Sequence, residues 1–311
     1  MPAPFSGRLL ATSDLHISHR KNREALDSLG HYPEDWLIVA GDISEKPEHL
    51  EVALDVLTAR FAKVIWTAGN HDLWKTGTGT TGTTGTTGTT GTTGTTGTTG
   101  TTGTMTRYEE LVAICRSRGV ITPEDPYLEW PGAPGTFIVP MFLLFDYTFR
   151  PPNVTAEGAI PWARETGVVS GDEQMLDPAP WPSIDAWCHA RCEVTQARLE
   201  ALPAGSRTVL VNHWPLRYDL ARPPRVPRFS IWCGTTRTED WGPRYRAVAV
   251  VSGHLHLRTT MWRHGVRYEE VSLGYPRDWR QDRGIDWYLR EILPGTGRDA
   301  QRFVPPFDPF R

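Results

Sequence analysis

The chain has little cysteine, no long hydrophobic run and almost no net charge. Four Cys among 311 residues are too few for a disulfide framework, and Cys188 and Cys192, one helical turn apart, lack the second pair of a zinc spacing. The longest strongly apolar run, 137–145, is interrupted by Pro140 and is far shorter than the roughly 18 residues of a membrane-spanning helix. We therefore expect neither a disulfide-stapled fold nor a membrane protein.

The charge balance and the N-terminal sequence limit the expected partners and the expected location of the protein. The formal net charge is −3, from 33 basic and 36 acidic residues. This balance gives no sign of a general polyanion-binding surface, so nucleic acid is not an expected partner. No basic segment followed by an apolar one stands at the start, and we expect no signal peptide and a cytoplasmic protein.

One segment departs from the composition of a globular protein. Residues 76–104 contain only Thr and Gly, and ten of the 29 Gly lie there. Because this repeat has no apolar residue to bury, we interpret it as a low-complexity insert. We predict that residues 1–311 form a single domain, which also carries excursions rich in Pro, Arg and Trp at about 147–183 and 216–246.

The remaining sequence alternates between two patterns. Short apolar runs typical of buried strands are separated by segments in which apolar residues recur at helical spacing. The helix predicted from Pro47, for example, lies between strands predicted at 36–40 and 62–68. Alternating strands and helices are typical of an α/β fold.

Polar residues of the metal-ligand type follow five of these apolar runs. In an open α/β sheet, ligands bind outside the carboxyl ends of the strands, so these residues are expected at one edge. Half of the ten His fall in such positions. The five motifs are Asp14-Leu-His16, Gly41-Asp42, Gly69-Asn70-His71-Asp72, Asn212-His213 and Gly253-His254-Leu-His256.

The residue types and their spacing suit metal binding. Asp14 and His16 are two positions apart, as are His254 and His256, and residues with this spacing on an extended segment point to the same side. Asp and His together provide oxygen and nitrogen ligands, which suit Mn, Fe or Zn. A single Asp-x-His is more often a turn than a ligand pair, but the ordered set of five motifs is specific.

The ordered set resembles the calcineurin-like metallophosphoesterase family. The resemblance implies a four-layer α/β/β/α sandwich with a dinuclear metal site. It implies that one metal is held by four side chains: Asp14, His16, Asp42 and His256. A second metal, to which Asp42 would bridge, is then expected on three more: Asn70, His213 and His254.

The same resemblance implies a mechanism for ester hydrolysis. A hydroxide bridging two Mn, Fe or Zn ions would attack the phosphorus, and His71 would face the substrate and protonate the leaving oxygen or stabilise its charge. The family often has an acidic residue three positions after the Asp of its second motif. Here that residue is Glu45, whose side chain is longer, and we assign it no role as a ligand.

We therefore expect an enzyme, a metal-dependent phosphatase or phosphodiesterase that hydrolyses a small organic phosphate. A phosphomonoester or nucleotide is the first candidate, and a cyclic or linear phosphodiester is the alternative. An alternative from another class is a non-catalytic metal-binding scaffold, although His71 and all the ligand-type residues are present. A DNA nuclease is a further alternative, and the oligomeric state is left open.

The excursion that directly follows His213 motivates the nucleotide hypothesis. Arg can clamp a phosphate and Trp can stack on a base, so Arg217 and Trp214 are candidate substrate-binding residues. The alternative is a solvated, Pro-stiffened loop whose Trp side chains cover the core.

Overall fold

A computed structural model of the protein describes residues 5–74 and 103–295. Residues 76–102 of the predicted insert lie outside the described residues. Thr104, the last residue assigned to that insert, is instead the first residue of a helix and is fully buried. Its hydroxyl accepts a hydrogen bond from the backbone N–H of Asp177 at 2.7 Å, which ties the start of this helix to another segment of the fold.

The strands of the described residues form two sheets. The first has the order β10-β1-β2-β3 and contains β1 (Leu9–Thr12), β2 (Tyr32–Ala40), β3 (Phe61–Thr67) and β10 (Arg290–Leu293). The second has the order β4-β5-β6-β7-β9-β8 and contains β4 (Leu128–Glu129), β5 (Thr136–Pro140), β6 (Arg207–Val211), β7 (Ala247–Ser252), β8 (Thr260–Arg263) and β9 (Val266–Glu270). Strands β10, β4 and β8 pair antiparallel with their neighbours, and the other pairs are parallel.

Helices connect the strands and also occur in both predicted excursions. They are α1 (Arg20–Asp27), α2 (Pro47–Arg60), α3 (Asn70–Leu73), α4 (Thr104–Ser117), α5 (Ala159–Arg164), α6 (Asp172–Met175), α7 (Ile184–Glu200) and α8 (Trp241–Arg244). Helices α5 and α6 interrupt the first excursion, and α8 lies in the second. None of the helices in the described part of the chain combines the length and the apolar character needed to span a bilayer.

Successive side chains of the strands face alternately the other sheet and the helices, and this arrangement defines the layers of the fold. Leu9 and Ala11 of β1 pack in a core that also contains Val211 of β6 and Val251 of β7. Leu10 points the other way and joins the cluster formed with the helices. Because successive side chains of a strand face opposite sides, each sheet packs on the other sheet with one face and on helices with the other. This is the predicted α/β/β/α sandwich.

This packing brings strand ends from both sheets to one place. The backbone N–H of Asp14, just after β1, donates to the carbonyl of Gly41 at 2.9 Å, just after β2. In the second sheet, the N–H of Gly253 donates to the carbonyl of His213 at 2.9 Å. These bonds join neighbouring strand ends within each sheet. The N–H of Gly274, just after β9, donates to the carbonyl of Asp14 at 3.0 Å and so links the two sheets at this edge.

Candidate metal centre

The side chains predicted to be metal ligands lie together at the carboxyl ends of β1, β2, β3, β6 and β7. In one group, His256 Nε2 lies 3.1 Å from Asp14 Oδ1 and 3.2 Å from His16 Nε2. His16 Nε2 in turn lies 3.9 Å from Asp14 Oδ1 and 4.0 Å from Asp42 Oδ2. The donor atoms of Asp14, His16 and His256 are close enough to share one ion, and so are those of His16, Asp42 and His71.

A second group of donor atoms adjoins the first through Asp42. His213 Nε2 lies 3.5 Å from Asp42 Oδ2 and 3.0 Å from Asn70 Oδ1. His254 Nδ1 lies 3.2 Å from the same Asn70 oxygen. The carboxylate of Asp42 thus reaches both groups, which is the placement that a ligand shared by two ions requires.

The backbone around these side chains is strained. Five of them have a positive φ, a conformation that is uncommon outside Gly and costs about 1–3 kcal/mol per residue. They are Asp14 (53°), His16 (42°), Asp42 (56°), His254 (75°) and His256 (54°). Such strain concentrates at functional sites, and here it turns side chains on short loops toward one point.

Two glycines allow the loops to approach the carboxylates. A Cβ atom at Gly69 would collide with the carboxylate of Asp42, and one at Gly253 would collide with that of Asp14. No other residue type therefore fits at these two positions without moving an acidic side chain of the centre.

Hydrogen bonds on the side away from the cluster orient the rings of two histidines. His213 Nδ1 lies 2.8 Å from the carbonyl oxygen of Ala40, and His256 Nδ1 lies 3.0 Å from Asp278 Oδ2. In both rings the other nitrogen, Nε2, faces the cluster of donor atoms. Metal-ligating His residues commonly donate their outer N–H to a carbonyl or carboxylate in this way.

Burial and charge act differently on the side chains of the centre. Burial would lower the pKa of His256, but its hydrogen bond to Asp14 and the charge of that residue raise it to about 10, so a metal would replace a proton on this ring. Burial lowers the pKa of His16 to about 3 and that of His213 to about 4, so both rings are neutral and able to bind a metal. Burial and the neighbouring charge of Asp14 raise the pKa of Asp42 well above its usual range. The buried Nε2 atom of His254 has no hydrogen-bond partner within residues 5–74 and 103–295. A cation would offset the repulsion between the carboxylates and use the neutral nitrogens as ligands.

His71 lies beside this cluster and is held by Glu45. His71 Nδ1 is 2.7 Å from Glu45 Oε1, and its backbone N–H donates to Asp42 Oδ1 at 2.8 Å. Burial would raise the pKa of Glu45, but hydrogen bonds from His71 and Ser18 lower it to about 2, so the carboxylate is charged. The indole of Trp74 packs on the His71 ring with 3.7 Å between centroids. Glu45, to which we assigned no ligand role from the sequence, thus orients His71. Its position three residues after Asp42 was the feature of the sequence that could have indicated a place in the site.

Sequence reasoning missed two further side chains of the site. The ring of Tyr275 stacks on His16 with centroids 4.5 Å apart, and its hydroxyl lies 3.4 Å from His71 Nε2. Asp172 Oδ1 accepts a hydrogen bond from Asn70 Nδ2 at 3.0 Å. Tyr275 follows the end of β9, as the other site residues follow their strands, whereas Asp172 lies in the first excursion, where the sequence has no comparable pattern.

Asp72, the last residue of the third motif, acts as an anchor for the loops. Its buried carboxylate accepts backbone hydrogen bonds from Gly69 (3.0 Å), Asp42 (2.9 Å), Ile43 (2.9 Å) and Ser44 (3.1 Å). It thereby fixes the loop that carries Asp42 against the loop that carries the third motif.

The two predicted substrate-binding residues are engaged with other parts of the chain. Trp214 has no exposed surface, and its ring packs against those of His213 (5.0 Å) and His254 (5.8 Å). Contact between Trp214 and a substrate would require the ring to be uncovered. Arg217 pairs with Asp219 at 2.8 Å and donates to the carbonyl of Glu239 at 3.0 Å. A role in substrate binding stays a prediction for both.

Comparison with known proteins agrees with this geometry. The sequence model of the family described as calcineurin-like phosphoesterase matches residues 7–258. The [acyl-carrier-protein] phosphodiesterase PptH of Mycobacterium tuberculosis is 47% identical over 291 residues, which cover 92% of this chain and 83% of the relative. The crystal structure of phosphopantetheinyl hydrolase (PptH) from the same organism has a TM-score of 0.82 and 43% identity, with 97% of this chain and 100% of that chain covered.

The fold and the site together define a metal-dependent phosphoric ester hydrolase. The chain belongs to the calcineurin-like phosphoesterase family. The predicted family, fold class and enzyme class are confirmed. The assignment of individual residues as metal ligands, the identity of the metals and the cytoplasmic location stay predictions.

Proposed function

We propose that the protein is a phosphodiesterase that removes the phosphopantetheine group from an acyl carrier protein. The observation that carries this proposal is the 47% identity to a relative that is an acyl-carrier-protein phosphodiesterase. It favours the diester alternative over the phosphomonoester or nucleotide that the sequence put first. In this proposal the partner is a protein rather than a small molecule.

We assign the metal ligands in this proposal as the resemblance to the family implies, and the short distances among these side chains support the assignment. Asp14, His16, Asp42 and His256 would hold one ion, and Asp42, Asn70, His213 and His254 would hold the second. Bound metal ions supply a nucleophilic oxygen at neutral pH and neutralise charge on the phosphoryl group. The carboxylate, amide and imidazole donors of this set suit Mn, Fe or Zn.

The side chains beside the metals perform the proton transfer in this proposal. Because Glu45 holds the Nδ1 side of His71, the Nε2 atom is the one that faces the substrate. His71 in its protonated form donates the Nε2 proton to the serine oxygen of the carrier protein as the bond from that oxygen to phosphorus breaks. The serine leaves as a neutral hydroxyl, and the phosphopantetheine keeps the phosphate.

The proposal is tested with a holo acyl carrier protein as the substrate. Purified protein with added Mn²⁺ is expected to convert it to the apo form, detected by mass spectrometry together with free phosphopantetheine. His71→Ala should lose this turnover while its metal content, measured by elemental analysis, stays that of the wild type.

Other phosphates serve as the comparison in the same assay. Hydrolysis of a phosphomonoester or nucleotide, together with no release from the holo carrier protein, would overturn the proposal and restore the first candidate from the sequence. Hydrolysis of generic diesters alone would leave a phosphodiesterase with a different substrate.

A further inference from the structure

Four arginines lie on two segments, one from each excursion, and we call them the basic rim: Arg164, Arg222, Arg225 and Arg228. The first ends α5, and the other three belong to the Pro-rich segment 222–229. Helix α5 packs against the short 3₁₀-helix Pro227–Trp232, and Arg228 donates a hydrogen bond to the carbonyl of Trp162 in α5. Arg228 thus lies against α5, which ends at Arg164, and the exposed Arg222 and Arg225 precede it in the same segment.

Aromatic stacking places the basic rim next to the site. Phe229, which directly follows Arg228, stacks on the ring of His254 with centroids 5.5 Å apart and an interplanar angle of 23°. A small apolar cluster behind it joins Phe149, Ala221 and Leu255, and Leu255 lies between His254 and His256 in the sequence. The basic rim thus begins one aromatic ring away from a proposed metal ligand.

Most of the positive charge of the rim is unpaired. Arg228 pairs with Glu165 at 2.8 Å. Arg164, Arg222 and Arg225 are exposed and have no carboxylate partner in the described part of the chain. The chain as a whole carries a net charge of −3, so this concentration of positive charge runs against its average composition. Three prolines in the segment 222–229 restrict its backbone and so limit the conformational entropy that binding there would cost.

We propose that the basic rim is the docking surface for an acidic face of the carrier protein. This inference rests on the proposed function. The bond to be hydrolysed joins phosphorus to a serine oxygen of the carrier protein, so the body of that protein must lie within about one side-chain length of the metals. The surface beside His254 then contacts the carrier protein, and its unpaired arginines attract carboxylates there. A small phosphate ester would have no need of this surface.

Charge reversal on the rim tests the proposal. The variant Arg222→Glu/Arg225→Glu is compared with the wild type on a holo acyl carrier protein and on bis(p-nitrophenyl) phosphate, a small diester. The matched control is Arg207→Glu/Arg246→Glu, which changes the same charge near the amino ends of β6 and β7, opposite the site. Each protein is assayed at low and at high salt.

The expected result is specific to the protein substrate. At low salt the rim variant should show a KM for the holo carrier protein at least about tenfold above the wild type, with kcat/KM on the small diester within about twofold. The wild-type KM for the carrier protein should rise with salt, because exposed charges are screened. The control variant should behave as the wild type on both substrates.

Two outcomes would overturn the inference, and a third concerns only the proposed function. If the rim variant cleaves the holo carrier protein with wild-type KM, the rim is not its docking surface. A second outcome combines an unchanged KM for the holo carrier protein with a loss of binding to labelled single-stranded DNA, which the wild type binds. In that case the rim is a nucleic-acid surface instead. A wild type that cleaves the small diester but not the holo carrier protein refutes the proposed function itself.

Discussion

Replacing Asp172 by Ala would show whether the amide of Asn70 is held in position for a metal ion. Asp172 Oδ1 accepts hydrogen bonds from Asn70 Nδ2 at 3.0 Å and from Trp74 Nε1 at 2.7 Å. Only 1% of Asp172 is exposed, so little water is available to replace the carboxylate. The bond to Nδ2 also leaves Oδ1 of Asn70 facing His213 and His254.

These contacts set the expected losses of stability and of metal affinity in Asp172→Ala. Leaving a buried donor without a partner costs about 1–3 kcal/mol, so two lost bonds should lower the free energy of unfolding by about 2–6 kcal/mol. Removing a group that orients a metal ligand typically lowers metal affinity about 10- to 100-fold. We expect that loss for the ion nearest Asn70, measured by calorimetric titration of the metal-free protein with Mn²⁺.

The neighbouring residue provides a matched control. Glu173 also accepts two hydrogen bonds, from the Tyr147 hydroxyl at 3.0 Å and from Trp232 Nε1 at 2.6 Å, but these go to residues outside the metal centre. Glu173→Ala should therefore also lose stability, though less than Asp172→Ala because Glu173 is half-buried, without a change in metal affinity. Asp172→Asn, which retains an acceptor oxygen, should restore most of the affinity. If Asp172→Ala binds both ions as tightly as the wild type does, Asp172 does not position a ligand.

Three further predictions concern the same centre. Glu45→Gln should lower kcat by up to about 100-fold at unchanged metal content, because a neutral amide holds a protonated His71 less well than a carboxylate does; an unchanged kcat would exclude the orienting role. Tyr275→Phe keeps the ring that stacks on His16 but removes the hydroxyl near His71 Nε2, so we expect lower activity with wild-type thermal stability; equal activity would show that the hydroxyl takes no part. Removing the metals with a chelator should lower the melting temperature, because the buried carboxylates of Asp14 and Asp42 then lose the cation that offsets their repulsion. An unchanged melting temperature would argue against bound metal.

The sequence by itself was enough to locate the proposed metal ligands. Each proposed ligand lies at or just after the end of an apolar run. Because the run and the polar residues that follow it are adjacent in the chain, a local sequence pattern is enough to find them. The carboxyl ends of parallel strands then meet at one edge for any α/β sheet, which is why the five motifs were expected together. The periodicity of the apolar residues also predicted the alternating strands and helices, whereas the four-layer arrangement was implied by the resemblance to the family.

The tertiary structure alone decided which side chains support these ligands. Asp172 reaches Asn70 across 102 positions of the chain from a segment without periodicity, and Tyr275 reaches His71 across 204. The strand β10 likewise pairs with β1 from the far end of the described chain. Trp214 follows a proposed ligand directly, yet its burial could be seen only once Phe145 and His254 were packed around it. Contacts between distant segments depend on how those segments pack, and no spacing within either segment encodes them.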